Sequence, residues 1–363
     1  MICLVLRPRY TNTISCLTRS TRADHRNASA QQRKKKERML SAIIFSLIVF
    51  STASQVFSAE IQKLHRIRIG YSSISSSRIV LWATSDMGFF KKQGLAAEVI
   101  VTPGIQGTQA LIAGELQFYL GGVDSAALAA SRGSDLVALA TAEPIEYKLI
   151  VQPGIKTVKD LKGKKAVVDR VGGTSYYVSL QILEKVGLKP GDIDLVQVGG
   201  GGNQRVAAFK SGVVSAVVTA TDRFEQLKIP YHVLADAMEM DIKVMGNSYL
   251  TTRTFRDQNK DVVLRTVRAL VQGRRWAKDP KNREQVLKIY NRYLPSSETS
   301  FMDYLYRKNV EPIPLYPYTN IEDLRIFLSY LTEANPTLRS LKLTEFIDNS
   351  FLKRVEQEPG NQP

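Results

Sequence analysis

Residues 117–141 read QFYLGGVDSAALAASRGSDLVALAT. An apolar run, Gln117–Leu120, meets a glycine pair; a small-residue stretch, Ser125–Ser131, stops at Gly133; a second apolar run, Leu136–Thr141, closes the unit. Short apolar runs flanking a helical stretch predict strand, helix, strand. The rhythm extends upstream. Ile67–Tyr71 reads as a buried strand, Ile79–Gln93 as one helix stopped by Gly94, Ala97–Thr102 as a strand and Thr108–Ala113 as a helix. It restarts downstream with strands Lys165–Asp169, Ile193–Val198 and Ser215–Thr219, helices Ser175–Val186 and Gln204–Ser211, and an edge strand at Tyr231–Leu234. Alternation of this kind predicts an α/β chain with parallel sheets built from βαβ units.

Between the two rounds lies PIEYKLIVQ (144–152), an extended run without a turn, read as a crossing from one sheet to another; residues 240–252 read as the return. The remainder is helical in pattern, at 259–278, 282–293, 297–308, 320–333 and 344–355. The expected organisation is a leader (1–59), the first part of lobe 1 (60–143), lobe 2 with its hinge strands (144–245), and a completion of lobe 1 with a helical tail packed on it (246–363). The sequence shows no internal repeat.

The chain has 363 residues and a formal net charge of +16. Such an excess suggests nucleic acid or an acidic membrane as partner, so its location matters. Residues 1–59 hold ten Lys or Arg against two acids, half of the excess. There the basic run Arg33–Arg38 precedes an apolar stretch of eleven, Leu40–Phe50, and a small-residue segment, Ser51–Ala59. That is the layout of a cleaved secretory signal peptide. A membrane span needs roughly 20 apolar residues, which leaves an uncleaved anchor as the alternative. The other half lies in 253–293, with twelve Lys or Arg and four acids. Arg265, Arg268, Gln272 and Arg275 share one face of the helix there, read as a solvated face or a docking surface. Nucleic acid is not expected as a partner.

Both cysteines, Cys3 and Cys16, fall in the leader, and of three histidines only His65 and His232 follow it. Nucleophilic triads and transition-metal or iron–sulfur sites therefore lack their parts. No phosphate-binding G-x-x-x-x-G-K-[ST] occurs, and the glycine run 199–202 lacks the third glycine of a dinucleotide fingerprint. No cofactor, metal or catalytic residue is expected.

What does recur is a glycine- and hydroxyl-rich turn between strand and helix, at 71–77, 103–108, 121–125, 172–175 and 199–203. In a parallel sheet these turns share the carboxyl edge, where open α/β sheets bind ligands. Helix starts there offer N–H groups to an anion or a carbonyl. Any βα turn also wants Gly and a capping residue, and Asp124 reads first as an N-cap and second as a ligand contact.

The strings DMGFFKKQGL (86–95), ALIAGELQF (110–118), GVDSA (122–126) and TVKDLKGKK (157–165) resemble the periplasmic substrate-binding proteins of ABC importers. Within them the chain is most similar to the group for sulfonates, taurine, nitrate and thiamine pyrimidine precursors. The resemblance covers about residues 66–352. It implies a two-lobed periplasmic-binding-protein fold of the type II kind, hinged at 143–152 and 240–252. It also implies a monomer that delivers a small polar solute, with anions among the candidates, to an ABC permease in the inner membrane. Carried onto this chain, its ligand loops give Ser73, Ser75, Ser77, Arg78, Gln106, Val123, Asp124, Ser125, Thr174, Ser175, Asn203, Thr219 and Asp222 as the expected ligand-binding residues, with Arg205 as a further candidate. Sulfonate binders often place Trp and Pro where this chain has Ala220, Thr221 and Arg223, so ligand identity does not transfer. The alternatives are a lyase-type or biosynthetic enzyme on the same fold, without the cysteine-rich iron site of some relatives, and a binding protein that serves a sensor.

Overall fold

A computed structural model describes residues 64–359 apart from 143–145, 190, 200, 201, 243 and 297. The expected signal peptide and the start of the first crossing lie outside the described residues. The described residues form one compact unit.

The strands run β1 (His65–Tyr71), β2 (Leu95–Val101), β3 (Phe118–Gly122), β4 (Leu136–Thr141), β5 (Lys148–Val151), β6 (Lys165–Val168), β7 (Asp194–Gln197), β8 (Ala216–Thr219), β9 (His232–Asp236) and β10 (Asn247–Thr252). They form two five-stranded sheets, ordered β2-β1-β3-β10-β4 and β7-β6-β8-β5-β9. Each sheet is mixed, not parallel as the alternation predicts. β10 runs antiparallel between β3 and β4, and β5 antiparallel between β8 and β9. Thus the strand arriving from the other half inserts fourth in each sheet. Matching β1 with β6, β2 with β7, β3 with β8, β10 with β5 and β4 with β9 gives the same order twice. The sequence carries no sign of this repetition.

Helices cover the sheets, so strands such as β4 are buried almost throughout. The tail helices Lys260–Lys278, Arg283–Tyr293 and Thr299–Asn309 share a core with β1, β3 and the helix Ile79–Asp86. The tail does more than pack on the first half. Helix Ile321–Leu331 sets Phe327 and Tyr330 against Tyr177 of the second half, at ring-centroid distances of 5.9 and 4.7 Å.

Three helices depart from the pattern. The expected helix 79–93 breaks into Ile79–Asp86 and Phe89–Lys92, because Gly88 adopts φ +71°. The expected helix 344–355 divides into Leu343–Phe346 and Ser350–Glu356, where Ile347 leaves to bridge Ala138. The arginine face of Lys260–Lys278 is half-buried and engaged within the chain, not a fully solvated face. Arg265 donates to the carbonyls of Gln93 and Gly94, Arg268 pairs with Glu358 at 2.5 Å, and Arg275 donates to the Tyr316 hydroxyl. These arginines hold the chain's own loops and C-terminal segment.

Candidate functional site

The carboxyl edges of the two sheets meet at a cleft of about 570 Å³. Helix starts from both halves reach it. From the first half come Gly104–Ile112 and Val123–Ser131; from the second, Thr174–Lys185 and Gly202–Lys210. The N-cap residues of the first three are Pro103, Gly122 and Gly173, and none makes a side-chain cap. Most other helices of the chain lack a side-chain cap too; what marks these starts is their place, since four of them gather on one cleft, each with unpaired first-turn N–H groups and the positive end of a helix dipole.

Tyr119 braces one of these starts. Its hydroxyl donates to the carbonyls of Thr102 and Gly104, at 3.2 and 2.9 Å. A Cβ at Gly107 or Gly121 would collide with its ring, which gives both glycines a role beyond the turn. Burial pushes the Tyr119 phenol up, so it stays a neutral donor.

Of the thirteen expected residues, eleven line the cleft: Ser73, Ser75, Ser77, Arg78, Gln106, Asp124, Ser125, Thr174, Ser175, Thr219 and Asp222. Val123 does not; its side chain is fully buried in the core. Asn203 lines an adjoining annex instead. Asp124 is not an N-cap. It sits one residue inside its helix, which Gly122 starts, and accepts from Arg170 of the second half at 2.6 Å. Ser75 and Ser77 bond each other, and Ser175 accepts from the Asp169 N–H, so part of the hydroxyl set organises its own loops.

Among the described residues, the cleft wall carries four cations, Arg78, Arg170, Arg205 and Lys308, and four carboxylates, Asp124, Glu146, Asp169 and Asp222. Balance in number hides an uneven distribution. Arg170 neutralises Asp124. Lys308, from the tail, lies between Glu146 and Asp222, 2.6 Å from the latter. Burial alone would push the Lys308 ammonium down, but Asp222, Tyr304 and the bond to Glu146 outweigh it and hold it above the ordinary lysine value. Asp222 also accepts from Ser76, to which Asn309 donates, and Thr221 bonds Tyr304. Arg205 is different. It is only 6% exposed, and among the described residues its Nε has no hydrogen-bond partner and its nearest carboxylate oxygen, on Asp169, is 4.0 Å away. A buried guanidinium held this loosely can take an anionic group.

The sequence reading misses Tyr119, Tyr147, Arg170, Asn247, Lys308 and Asn309, all of which line the cleft. Arg170 stands two residues before the glycine turn at 172–175, and that proximity is the available signal. Lys308 and Asn309 carry none, since they come from a tail helix distant in sequence. Among the described residues, no group of three or more His, Cys, Asp or Glu could hold a metal ion, and no helix is long and apolar enough to cross a membrane.

Comparison with known proteins points the same way. A Brucella abortus protein named "Putative binding protein" is 32% identical over 152 residues, 41% of this chain and 46% of that protein, so the chain matches about half of the relative's length. The fold resembles the periplasmic aliphatic sulphonate binding protein SsuA from Escherichia coli (TM-score 0.61, 22% identity, 78% of this chain and 92% of that one). It also resembles the ligand binding component of an ABC-type import system from Staphylococcus aureus, solved with zinc bound (0.65, 14%, 81% and 100%). DszB, solved as a cysteine-to-serine mutant in complex with biphenyl-2-sulfinic acid, shares the fold too (0.60, 17%, 80% and 99%). The model of the NMT1/THI5-like family matches residues 77–283, more than half of the chain. The chain, with its two mixed sheets of like order and a cleft between them, belongs to the NMT1/THI5-like family.

Proposed function

We propose that this protein is the solute-binding component of an ABC importer. It works as a monomer outside the inner membrane, after removal of a signal peptide within residues 1–59. It captures a polar organic anion in the cleft and delivers it to a membrane permease. The observation that carries this reading is the convergence of helix starts from both halves on one cleft that also holds Arg205. The two crossings, β4 to β5 and β9 to β10, act as the hinge, and ligand shifts an open–closed equilibrium by touching both halves.

A ligand bound only by the folded state stabilises it by about 2.7 kcal/mol at a hundred times its dissociation constant. A thermal-shift screen of organic anions, followed by small-angle scattering of any hit, tests the reading. Stabilisation with compaction is expected; a broad screen with neither contradicts it. Turnover of a bound hit into a new product would favour the enzyme alternative. Capture by a sensor domain and not by a permease would favour the other.

A further inference from the structure

The cleft takes the carboxyl edge of the second sheet, and the opposite edge has a chemistry of its own. β6 is parallel to β7 and β8, and β5 is antiparallel to β8 and β9, so four strands start on this far edge and β5 ends on it. The segment 152–164 joins β5 to β6 there. With the first residue of β6 it carries five exposed lysines, Lys156, Lys159, Lys162, Lys164 and Lys165. The helices Thr174–Lys185 and Gly202–Lys210 start at the cleft, so their exposed last residues, Lys185 and Lys210, fall on the same far face, and the turn after the first helix adds Lys189.

The acids on this face are Asp160, Glu184, Asp192 and Asp194, fewer than the lysines. Two of them already serve the backbone. Asp160 accepts from the N–H groups of Lys156 and Thr157, and Asp192 from that of Lys189. Of the eight lysines, Lys162 alone pairs with a carboxylate among the described residues, Asp192 at 3.6 Å. Lys156 meets His232, which offers no countercharge. The same edge of the first sheet differs: Arg253 pairs with Asp135 at 2.9 Å and Arg256 with Asp348 at 3.2 Å.

The kind of cation also separates the two edges of the second half. Its arginines, Arg170, Arg205 and Arg223, line the cleft or the annex, and the far face has lysine alone. Arginine suits one fixed, bidentate partner, whereas lysine is a hydrated point charge on a mobile stem and suits a diffuse field. Protein interfaces rest on aromatic and arginine anchors, and within 148–236 no described aromatic residue is exposed. What the lysines surround is small and apolar. Val213, 66% exposed, stands in the turn after Lys210, and Val233, 43% exposed, follows His232.

We propose that this face docks on an anionic bilayer surface, with the lysines against lipid phosphates and Val213 reaching the interface. The cleft stays clear, because it opens from the opposite edge. For the solute-binding component proposed above, the contact keeps the protein at the membrane that holds its permease.

Co-sedimentation of the full chain with vesicles of phosphatidylglycerol and phosphatidylcholine in equal parts, and with vesicles of phosphatidylcholine alone, tests this. Binding to the anionic vesicles only, lost in high salt, is expected. Lys159→Gln, Lys164→Gln and Lys165→Gln together should weaken it about a hundredfold, at roughly fivefold per lysine. Removing as many exposed charges from the first half and tail, by Lys91→Gln, Lys260→Gln and Lys281→Gln, should change it far less. Residues 1–59 are common to both variants, so any binding they add is the same in each. On the vesicles, the amides of 156–165 and 211–214 should gain protection from hydrogen exchange. No binding to the anionic vesicles, equal losses in the two variants, or no protection at 156–165 overturns the proposal. Capture by polyglutamate without binding to vesicles also overturns it and assigns the face to an acidic protein. The solute-binding reading is decided separately, by ligand-induced stabilisation, and survives any of these failures.

Discussion

The two sheets share one strand order, yet the halves around them are held differently. Among the described residues, 37 buried apolar residues form one cluster of the first sheet with the tail; one face of the second sheet rests on a cluster of eight, and its other face on a cluster of 35 shared with the first half and the tail. β1 and β2 have seven residues each, whereas β5, β6, β7 and β8 have four. The 19-residue helix Lys260–Lys278 packs onto the first half; the second has the shorter Gly202–Lys210 and Asp222–Leu227 on that face. One topology thus serves as a platform in one half. In the other it depends on contacts from the tail, across the cleft and through the core it shares with the first half.

Four substitutions test that contrast. The largest effect belongs to the platform. Trp82 is fully buried and stacked on Tyr293 with centroids 4.3 Å apart. Trp82→Ala should cost about 3–5 kcal/mol in denaturant melts, and a loss under about 1 kcal/mol would remove the platform's claim. Phe209, fully buried and edge-on to Phe224 at 5.0 Å, holds the small cluster. Phe209→Ala should cost about 3 kcal/mol and speed hydrogen exchange in β5, β6 and β8 ahead of β1 and β3; uniform acceleration would mean that the halves unfold as one.

Lys308→Met tests the tie between tail and second half. It leaves Glu146 and Asp222 without their cation and should cost roughly 2–3 kcal/mol, less than a fully buried pair. The pair also predicts a pH dependence. Because the native pKa of Lys308 is raised, its contribution is fully present below the unfolded value of about 10.4 and fades as pH climbs through the native one. The stability gap between wild type and Lys308→Met should therefore be constant from pH 7 to 9 and shrink above about 10.4; a gap that grows with alkalinity would contradict the assignment. The smallest effect is Arg268→Ala. It removes a part-exposed pair with Glu358 and should cost roughly 0.5–1 kcal/mol, with no change in exchange at β5–β9.

Much of this architecture can be read from the chain because strand–helix alternation is a local signal. The first crossing is visible as an extended run without a turn; the return passes through a turn at 237–241. The insertion of β10 between β3 and β4 is not visible, since pairing across more than a hundred residues leaves no mark in either segment. The glycine turns point to the cleft, but their boundaries shift. Gly104 and Gly202 are the first residues of helices, not loop residues before them. That shift puts Val123 inside a helix, facing the core, and turns Asn203 toward the annex. Asp124 misleads because capping is a local habit, whereas its partner Arg170 comes from the other half. The charge on 253–293 invites an external partner; Gln93, Gly94, Tyr316 and Glu358 use part of it within the chain.

The most direct test of the central claim is mass spectrometry of small molecules released from the purified chain, compared with Arg205→Ala. The account predicts a near-stoichiometric organic anion on the wild type, strongly depleted on the variant. The same small-molecule content on both proteins, or an inorganic anion as the only occupant, would contradict it.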